Sequence, residues 1–193
     1  MGNMYEKIHS VGRIDNKRSV IFEVGLEDSS MAYLRIDEEL CLNEDRKIIV
    51  VDAVKFLAMW KAEPEGFNHF LSHGNSDAWI KFRKYPDACD GFSKGLTNPV
   101  PVARVVCNLY EGVRSVYKRN LLGLRKLQYR ERYTMPHVEI DNGRTRTIWL
   151  LNHGAKYFPV ECTDSNGAER LLHNCGDQMF GSPSIKEILD YFD

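Results

Sequence analysis

The N-terminal third of the chain consists of short runs in which apolar and polar residues alternate, a pattern typical of β structure. Two such runs, at residues 5–14 and Ser19–Val24, are separated by a polar turn and predict a β-hairpin. Met31–Ile36 predicts a further strand, and the mostly polar residues 38–46 predict a short helix or a loop. We therefore expect residues 1–30 to form a hairpin extension in front of the main core.

The pattern then changes to helical spacing. Val51–Trp60 places apolar residues three and four positions apart, which predicts a helix with Asp52 as its N-cap. Residues 69–77 are polar and contain a glycine, which predicts a loop. Pro86–Pro101 has too many proline and glycine residues to form one regular element. Val102–Tyr110 is apolar and rich in β-branched residues, so a strand is expected there.

The remaining sequence mixes strand and helix patterns. Residues 111–132 alternate charged residues with leucine, which predicts either a pair of helices or a basic loop insertion. Pro136–Ile140 and Tyr157–Cys162 predict strands, and Ile185–Phe192 predicts a terminal helix that a serine beside Pro183 caps. This mixed order predicts an α+β fold, in the form of a single mixed-sheet domain with short helices.

A glycine turn at Asn142–Gly143 allows two interpretations. The Asp-Asn-Gly sequence is a strong hairpin signal, which would make Arg144–Leu151 a returning strand. The alternative is a strand, a glycine turn and a helix that ends at Gly154. Four consecutive apolar residues, Ile148–Leu151, favour the helix because strand alternation does not explain them.

The helical interpretation has a chemical consequence. A glycine turn that leads into a helix presents free backbone N–H groups at the positive end of the helix dipole, which is an anion-binding arrangement. Arg144 and Arg146 add guanidinium groups, which bind phosphate in bidentate fashion, and Thr145 and Thr147 add hydroxyl groups. The sequence therefore predicts a phosphate site around Gly143.

Composition excludes several classes of protein. The 193 residues are 43% hydrophobic and 27% charged with a net charge of −1, which is typical of a globular domain and not of a disordered chain. The longest apolar run, Ile48–Val51, is far shorter than the roughly 18 residues that a membrane span needs. The five cysteines form no CxxC pair, which excludes the common zinc patterns, and no resident metal site is predicted. These features predict a cytoplasmic protein.

Positive charge is concentrated in one segment. Arg104–Arg132 carries a net charge of +6, and the rest of the chain carries −7. Tyrosines lie between the basic residues, a combination that suits DNA because bases stack on aromatic rings while phosphates pair with cations. An ordinary solvated helix face is the alternative. The candidate DNA-binding residues are Arg114, Lys118, Arg119, Arg125, Lys126 and Arg130.

Three blocks of sequence together resemble the plasmid fertility inhibition factor family. The longest block runs from Asn142 to Leu151 and continues through Gly154-Ala155 to Phe158-Pro159-Val160. The second block is Tyr33-Leu34-Arg35-Ile36-Asp37, followed by Phe56-Leu57 and Trp60. The third block is Gly91-Phe92, Gly95 and Asn98-Pro99-Val100-Pro101. The resemblance covers residues 33–162 and leaves the two ends of the chain outside it.

This resemblance implies a ParB/sulfiredoxin-like core over residues 31–162, with the basic insertion at residues 111–132 and a C-terminal tail at residues 163–193. It implies binding of ATP by a Gly-x-x-Arg signature, here Gly143 and Arg146, with Mg²⁺ as a second cofactor. The nucleotide-binding residues it predicts are Asn98, Asn142, Gly143, Arg144, Thr145, Arg146 and Thr147. The candidate catalytic residues are Arg146, Glu139 and Asp141, because carboxylates beside the turn suit a magnesium ion.

The resemblance further implies an ATPase and DNase that blocks DNA export through a type IV secretion system at its coupling protein. Its expected partners are single- or double-stranded DNA and the coupling protein or a relaxosome component. Such a partner would place the protein at the periphery of the inner membrane. Two alternatives remain open at this stage. The chain could be a non-catalytic module that occludes the coupling protein or relaxosome, or a ParB-like nucleotide-dependent DNA-binding regulator.

Overall fold

The computed structural model describes residues 8–38, 46–64, 69–119 and 124–193, and all structural statements below concern these ranges. They form eight strands and seven α-helices. The elements are, in chain order, β1 Ile8–Ile14, β2 Lys17–Gly25, β3 Met31–Asp37, β4 Lys47–Asp52, α1 Ala53–Lys61, α2 His69–Ser72, α3 Ser76–Ile80, α4 Tyr85–Ser93, a short 3-10 helix Gly95–Thr97, β5 Val100–Pro101, β6 Ala103–Arg119, β7 Arg125–Asn142, α5 Arg144–Asn152, β8 Tyr157–Cys162, α6 Ser165–Cys175 and α7 Ile185–Tyr191.

The described strands form two four-stranded sheets. The first has the order β1-β2-β3-β5, and the second has the order β4-β8-β6-β7. Both are mixed, because β3 pairs with β5 in parallel and β6 pairs with β8 in parallel while the other neighbours are antiparallel. Pro101 pairs with the first sheet and Ala103 with the second, so the chain crosses between them at Val102.

The core continues through both sheets and the helices that cover them. Every residue of Ile48–Val51 in β4 is at most 1% exposed, which explains why this run is apolar without alternation. Aromatic pairs join the layers: Phe56 of α1 meets Phe158 of β8 edge to face at 5.4 Å between ring centroids. Helix α6 packs on the second sheet, where the Arg170 guanidinium donates two hydrogen bonds, of 2.9 and 2.7 Å, to the Cys107 carbonyl.

The predicted α+β class is confirmed, with the strands divided between two mixed sheets. The N-terminal hairpin and the strand at Met31–Ile36 are present, and the Asp52 carboxylate accepts a hydrogen bond from the Lys55 N–H at 2.9 Å as the predicted N-cap. Ser184 caps α7 in a reciprocal capping box with Glu187. Residues 5–7 of the predicted hairpin and 39–45 of the predicted polar segment lie outside the described residues.

Two local predictions are wrong, at residues 69–77 and 111–132, and one helix in the C-terminal tail was not predicted. Residues 69–77 contain α2 and the start of α3, since the Asn75 side chain caps α3 by accepting the Ala78 N–H at 3.0 Å. The C-terminal tail contains α6, which the Asp164 carboxylate caps. The basic segment 111–132 forms neither helices nor an inserted loop in its described part, because β6 and β7 continue through it as paired antiparallel strands.

The long hairpin of β6 and β7 leaves the core near Leu109. Val105 and Cys107 are fully buried, whereas Leu109 and Val113 are 53% and 61% exposed on the same side of β6. We call residues 109–119 and 125–136 the β-arm. Strand β8 pairs with β6 only at Ala103–Val105, so neither edge of the β-arm is paired with another described strand.

Candidate functional site

The turn at Gly143 joins the end of β7 to the start of α5. Gly143 has φ 96° and ψ 14°, a left-handed conformation that favours glycine. Strand β7 continues through Asn142 and α5 begins at Arg144, so the helical interpretation is confirmed and the hairpin interpretation is wrong. A Cβ at Gly143 would lie 2.8 Å from the Cα of Ala103. The glycine therefore allows the turn to lie directly against β6.

The first turn of α5 has uncapped backbone N–H groups. The first helical hydrogen bond is donated by the Thr147 N–H to the Gly143 carbonyl at 2.9 Å, and the Thr147 hydroxyl donates to the same oxygen at 3.2 Å. Gly143 occupies the N-cap position but has no side chain that could accept a hydrogen bond from the N–H groups of residues 144–146. The N–H groups of residues 144–146 therefore stand at the positive end of the helix without a side-chain cap.

The guanidinium of Arg146 carries an uncompensated charge. Its Nη2 donates to the Asn142 side-chain oxygen at 3.3 Å, and no carboxylate among the described residues forms an ion pair with it. Burial, and to a lesser extent the positive charge of Arg104, lowers the pKa of Arg146. Two guanidinium groups thus lie close together, and the half-buried one lacks an anion.

Arg104, in contrast, is neutralised. Its Nε lies 3.3 Å from Glu161 Oε2, and its Nη1 lies 3.6 Å from Asp141 Oδ2. Glu161 is only 2% exposed and also pairs with Arg46 at 2.9 Å. This network fixes the positive side of the site and gives the buried Glu161 a structural role.

A cavity of about 610 Å³ opens beside the turn. One wall is the segment from Asp141 to Arg146, and the opposite wall includes Lys84, Asp87 and Gly91 from α4 and its N-cap. Sequence reasoning missed Lys84 and Asp87, because no local motif marks them and only packing of α4 against α5 brings them here. The cavity therefore combines three cationic side chains with two carboxylates.

The predicted site residues divide into two groups. Asp141, Asn142, Gly143, Arg144, Thr145 and Arg146 all line the cavity. Thr147 is fully buried behind the turn, and Asn98 is exposed after the 3-10 helix and does not line the cavity.

Glu139 lies on β7 two residues before Asp141 and does not line the cavity. Its Oε1 accepts hydrogen bonds from the Asn108 side chain at 3.1 Å and from His137 Nε2 at 3.0 Å. His137 is buried, and its Nδ1 has no hydrogen-bond partner among the described residues. Burial, and to a lesser extent the negative charge of Glu139, raises the pKa of the neighbouring Glu63. Glu139 thus belongs to a polar cluster of its own.

The predicted DNA-binding residues all belong to the β-arm, but they occupy both of its faces. Cross-strand partners share a face. One face carries the register pairs Arg114–Glu131 and Lys118–Lys126, and the other carries Ser115, Arg125 and Arg130. The side chain of Arg119 lies outside the described part of the structure. Arg114 is neutralised by Glu131: its Nε donates a hydrogen bond to Glu131 Oε2 at 3.0 Å, and its Nη2 lies 3.0 Å from the same oxygen.

Burial makes three of the four described thiols poorly reactive. Cys107, Cys162 and Cys175 are buried, and burial raises the pKa of each thiol. Cys89 is exposed and free, and Cys41 lies outside the described residues. Among the described residues no group of three His, Cys, Asp or Glu side chains could hold a metal ion. No described helix has both the length and the apolar character needed to cross a membrane.

Comparisons with known proteins identify the fold and the family of the chain. A solved structure with the same fold is that of oncogenic suppression activity protein, a plasmid fertility inhibition factor, in its gold(I) cyanide derivative. The TM-score is 0.68 at 20% sequence identity, and the match covers 95% of this chain and 81% of that chain. No curated protein matches the sequence. A family model described as plasmid fertility inhibition factor matches residues 48–176, about two-thirds of the chain. The chain therefore belongs to the plasmid fertility inhibition factor family.

Proposed function

We propose that this fertility inhibition factor binds a nucleotide phosphate at the start of α5 and acts as an ATP-dependent DNase on plasmid DNA. Degradation of that DNA would block its export through a type IV secretion system at the coupling protein. The observation that carries the proposal is the half-buried Arg146 guanidinium, which has no carboxylate partner among the described residues. An isolated buried charge is costly, and a bound phosphate would offset that cost.

The surroundings of Arg146 suit a phosphate in three further respects. The uncapped N–H groups of residues 144–146 lie at a helix N-terminus, where an anion is stabilised. Gly143 lets the backbone approach a ligand closely. The volume of about 610 Å³ is within the range of small-molecule sites, roughly 300–1,000 Å³, so a whole nucleotide could be accommodated.

The residues present fit a nucleotide better than they fit a resident metal. Asp141 and Asp87 are the carboxylates of the cavity wall, and the described residues contain no complete metal-binding cluster. Mg²⁺ in nucleotide enzymes takes one or two protein carboxylates and completes its shell with phosphate oxygens and water. Asp141 is accordingly the residue that would hold Mg²⁺, and the ion would supply charge neutralisation of the phosphates. Asn98 and Glu139 remain predictions without support from this cavity.

The test is nucleotide binding by calorimetry with a non-hydrolysable ATP analogue. Arg146→Ala should weaken binding at least about 10-fold, since a hydrogen bond to a charged group contributes roughly 1.5–3 kcal/mol. Arg83→Ala is the matched control, because Arg83 is exposed and does not line the cavity. Equal affinities for the two variants would contradict the proposal.

Activity then separates an enzyme from a binding module. Purified protein with ATP and Mg²⁺ should degrade plasmid DNA, and Arg146→Ala should abolish this while the fold is retained. Inhibition of conjugative transfer should disappear in the same variant. If transfer remains inhibited by Arg146→Ala, the chain acts by occlusion and the catalytic proposal is wrong.

A further inference from the structure

The β-arm is long enough to span a turn of duplex DNA. Its eleven residues from Leu109 to Arg119 extend the β6 strand by about 36 Å at roughly 3.3 Å per residue. One turn of B-DNA is about 34–36 Å long. Side chains on both faces are exposed, including Val113 and Tyr129, and both edges are unpaired among the described strands. The β-arm therefore presents a free ribbon rather than one binding face.

Its unpaired positive charge is divided between the two faces. Lys118 and Lys126 are cross-strand partners on one face. Arg125, Arg130 and Arg132 lie on the other, opposite Arg119, Ser115 and Val113. None of these five cations forms an ion pair within the described part of the chain, whereas Arg114 pairs with Glu131.

A β-bulge produces this division. The register of β7 shifts between Val116 and Tyr117, so that Tyr129 and Leu127 pair with consecutive residues of β6 and Gln128 is the additional residue. Without the shift, simple alternation would place Arg125 and Arg130 on opposite faces. The bulge instead brings Arg125 to the face of Arg130 and Arg132 and leaves the lysine pair on the other face.

A ligand that neutralises both faces of the β-arm must place a row of phosphate groups against each face. A single strand or a flat anionic surface presents phosphates to one face only, whereas a duplex groove has a phosphate backbone on each side. The thickness of a sheet with its side chains is about 10 Å, and the B-DNA major groove is about 12 Å wide. The minor groove, at about 6 Å, is too narrow for the ribbon.

We infer that the β-arm inserts edge-on into the major groove of duplex DNA, with the lysine pair on one backbone and the three arginines on the other. This inference rests on the proposed function for its choice of DNA and goes beyond it by naming the duplex as the form that the protein holds. Exported single strands are then not what the arm binds.

The test measures binding to a fluorescent duplex in EDTA and without nucleotide, so that cleavage and the phosphate site do not contribute. Five phosphate contacts predict a slope of about −4.5 in log K against log salt concentration. Lys118→Gln with Lys126→Gln should reduce the slope to about −2.7 and the affinity roughly 60-fold at 0.1 M salt. Replacement of the three arginines by Gln should reduce the slope to about −1.8 and the affinity roughly 500-fold. Lys186→Gln is the control, because Lys186 is an exposed lysine on α7.

Three competitors complete the test. An RNA duplex of the same sequence should bind at least 10-fold more weakly, because the A-form major groove is too narrow for side chains to enter. Single-stranded DNA and anionic phospholipid vesicles should also compete more weakly than the DNA duplex. Tighter binding of any of these, or a loss confined to one face of the β-arm, would overturn the inference.

The two proposals can fail separately. Duplex binding that depends on both faces, in a protein that binds no nucleotide, leaves the groove inference supported and rejects the phosphate site. Nucleotide binding without duplex binding rejects the groove inference alone.

Discussion

Substitution of Gly143 by alanine tests the turn on which the proposed phosphate site depends. The change forces a β-carbon into a left-handed conformation at φ 96°, which costs about 1–2 kcal/mol. The new atom would also lie 2.8 Å from Ala103 Cα and 2.9 Å from its Cβ, so β6 or the turn must move, at about 1–3 kcal/mol. We expect Gly143→Ala to lower the free energy of unfolding by about 2–5 kcal/mol.

Two other glycines separate these contributions. Gly95 also has a positive φ, of 54°, but an added Cβ would meet nothing within 4 Å, so Gly95→Ala should cost only the conformational part, about 1–2 kcal/mol. Gly12 has no positive φ and is equally open, so Gly12→Ala should change stability by less than about 1 kcal/mol. The difference in unfolding free energy between Gly143→Ala and Gly95→Ala then measures the crowding against Ala103.

The assay is equilibrium unfolding in urea, followed by circular dichroism and extrapolated to water. For a chain of this size, about 3 kcal/mol corresponds to a decrease in Tm of roughly 6–12 °C. If Gly143→Ala and Gly95→Ala agree within about 0.5 kcal/mol, the close approach of the turn to β6 contributes nothing and the reasoning is refuted.

Three further measurements test other parts of the structure. Glu161→Gln should lower the free energy of unfolding in urea by about 2–4 kcal/mol, because its two arginine partners lose their carboxylate, and a smaller loss than about 1 kcal/mol would contradict this. Hydrogen bonds from Ser184 hold the pKa of Glu187 below its usual value, so its contribution is present above about pH 4.5 and is lost as the pH falls through the folded pKa. The stability difference between wild type and Glu187→Gln should therefore shrink on acidification, and a constant difference would exclude the link. Burial raises the pKa of Cys107 to about 11 and that of Cys175 to about 12, so neither thiol should react with a disulfide reagent at about pH 8 until urea unfolds the protein.

The sequence was most informative where a local pattern and a buried role coincide. Ile48–Val51 and Ile148–Leu151 are consecutive apolar runs, and the structure buries nearly all of both. Asp52 and Ser184 cap helices as predicted, because a cap is a local interaction between residues three positions apart. The glycine turn before Arg144 is local in the same sense, and the helical interpretation is correct there.

The β-arm shows why the prediction for residues 111–132 was wrong. Both faces of this ribbon are exposed to solvent, so its strands lack the alternation of apolar and polar residues that marks a half-buried strand. Its lysine, arginine and leucine residues also have high helix propensity, and only pairing between β6 and β7 overrides that propensity. Helix α6, in contrast, had a readable signal: Asp164 caps it, and Ala168, Leu171 and Cys175 are buried at helical spacing.

Only one wall of the cavity was predictable from the sequence, because the other wall comes from a distant segment of the chain. Asp141–Arg146 is one continuous segment, so a motif can identify it. Lys84 and Asp87 reach the cavity because α4 packs against α5, with Phe92 stacked on Trp149 at 3.9 Å between ring centroids. Such a contact between distant segments leaves no local pattern in a single sequence.

The crossing at Val102 has a mechanical consequence. Pro101 belongs to one sheet and Ala103 to the other, and the Val102 N–H donates to the Arg35 carbonyl at 3.0 Å. The connection between the two sheets is therefore a single hydrogen-bonded residue. Opening of the first sheet would pull directly on the strand that carries the β-arm and against which Gly143 rests. We therefore expect loosening of the first sheet to reach the turn at Gly143, because Ala103 lies beside that turn.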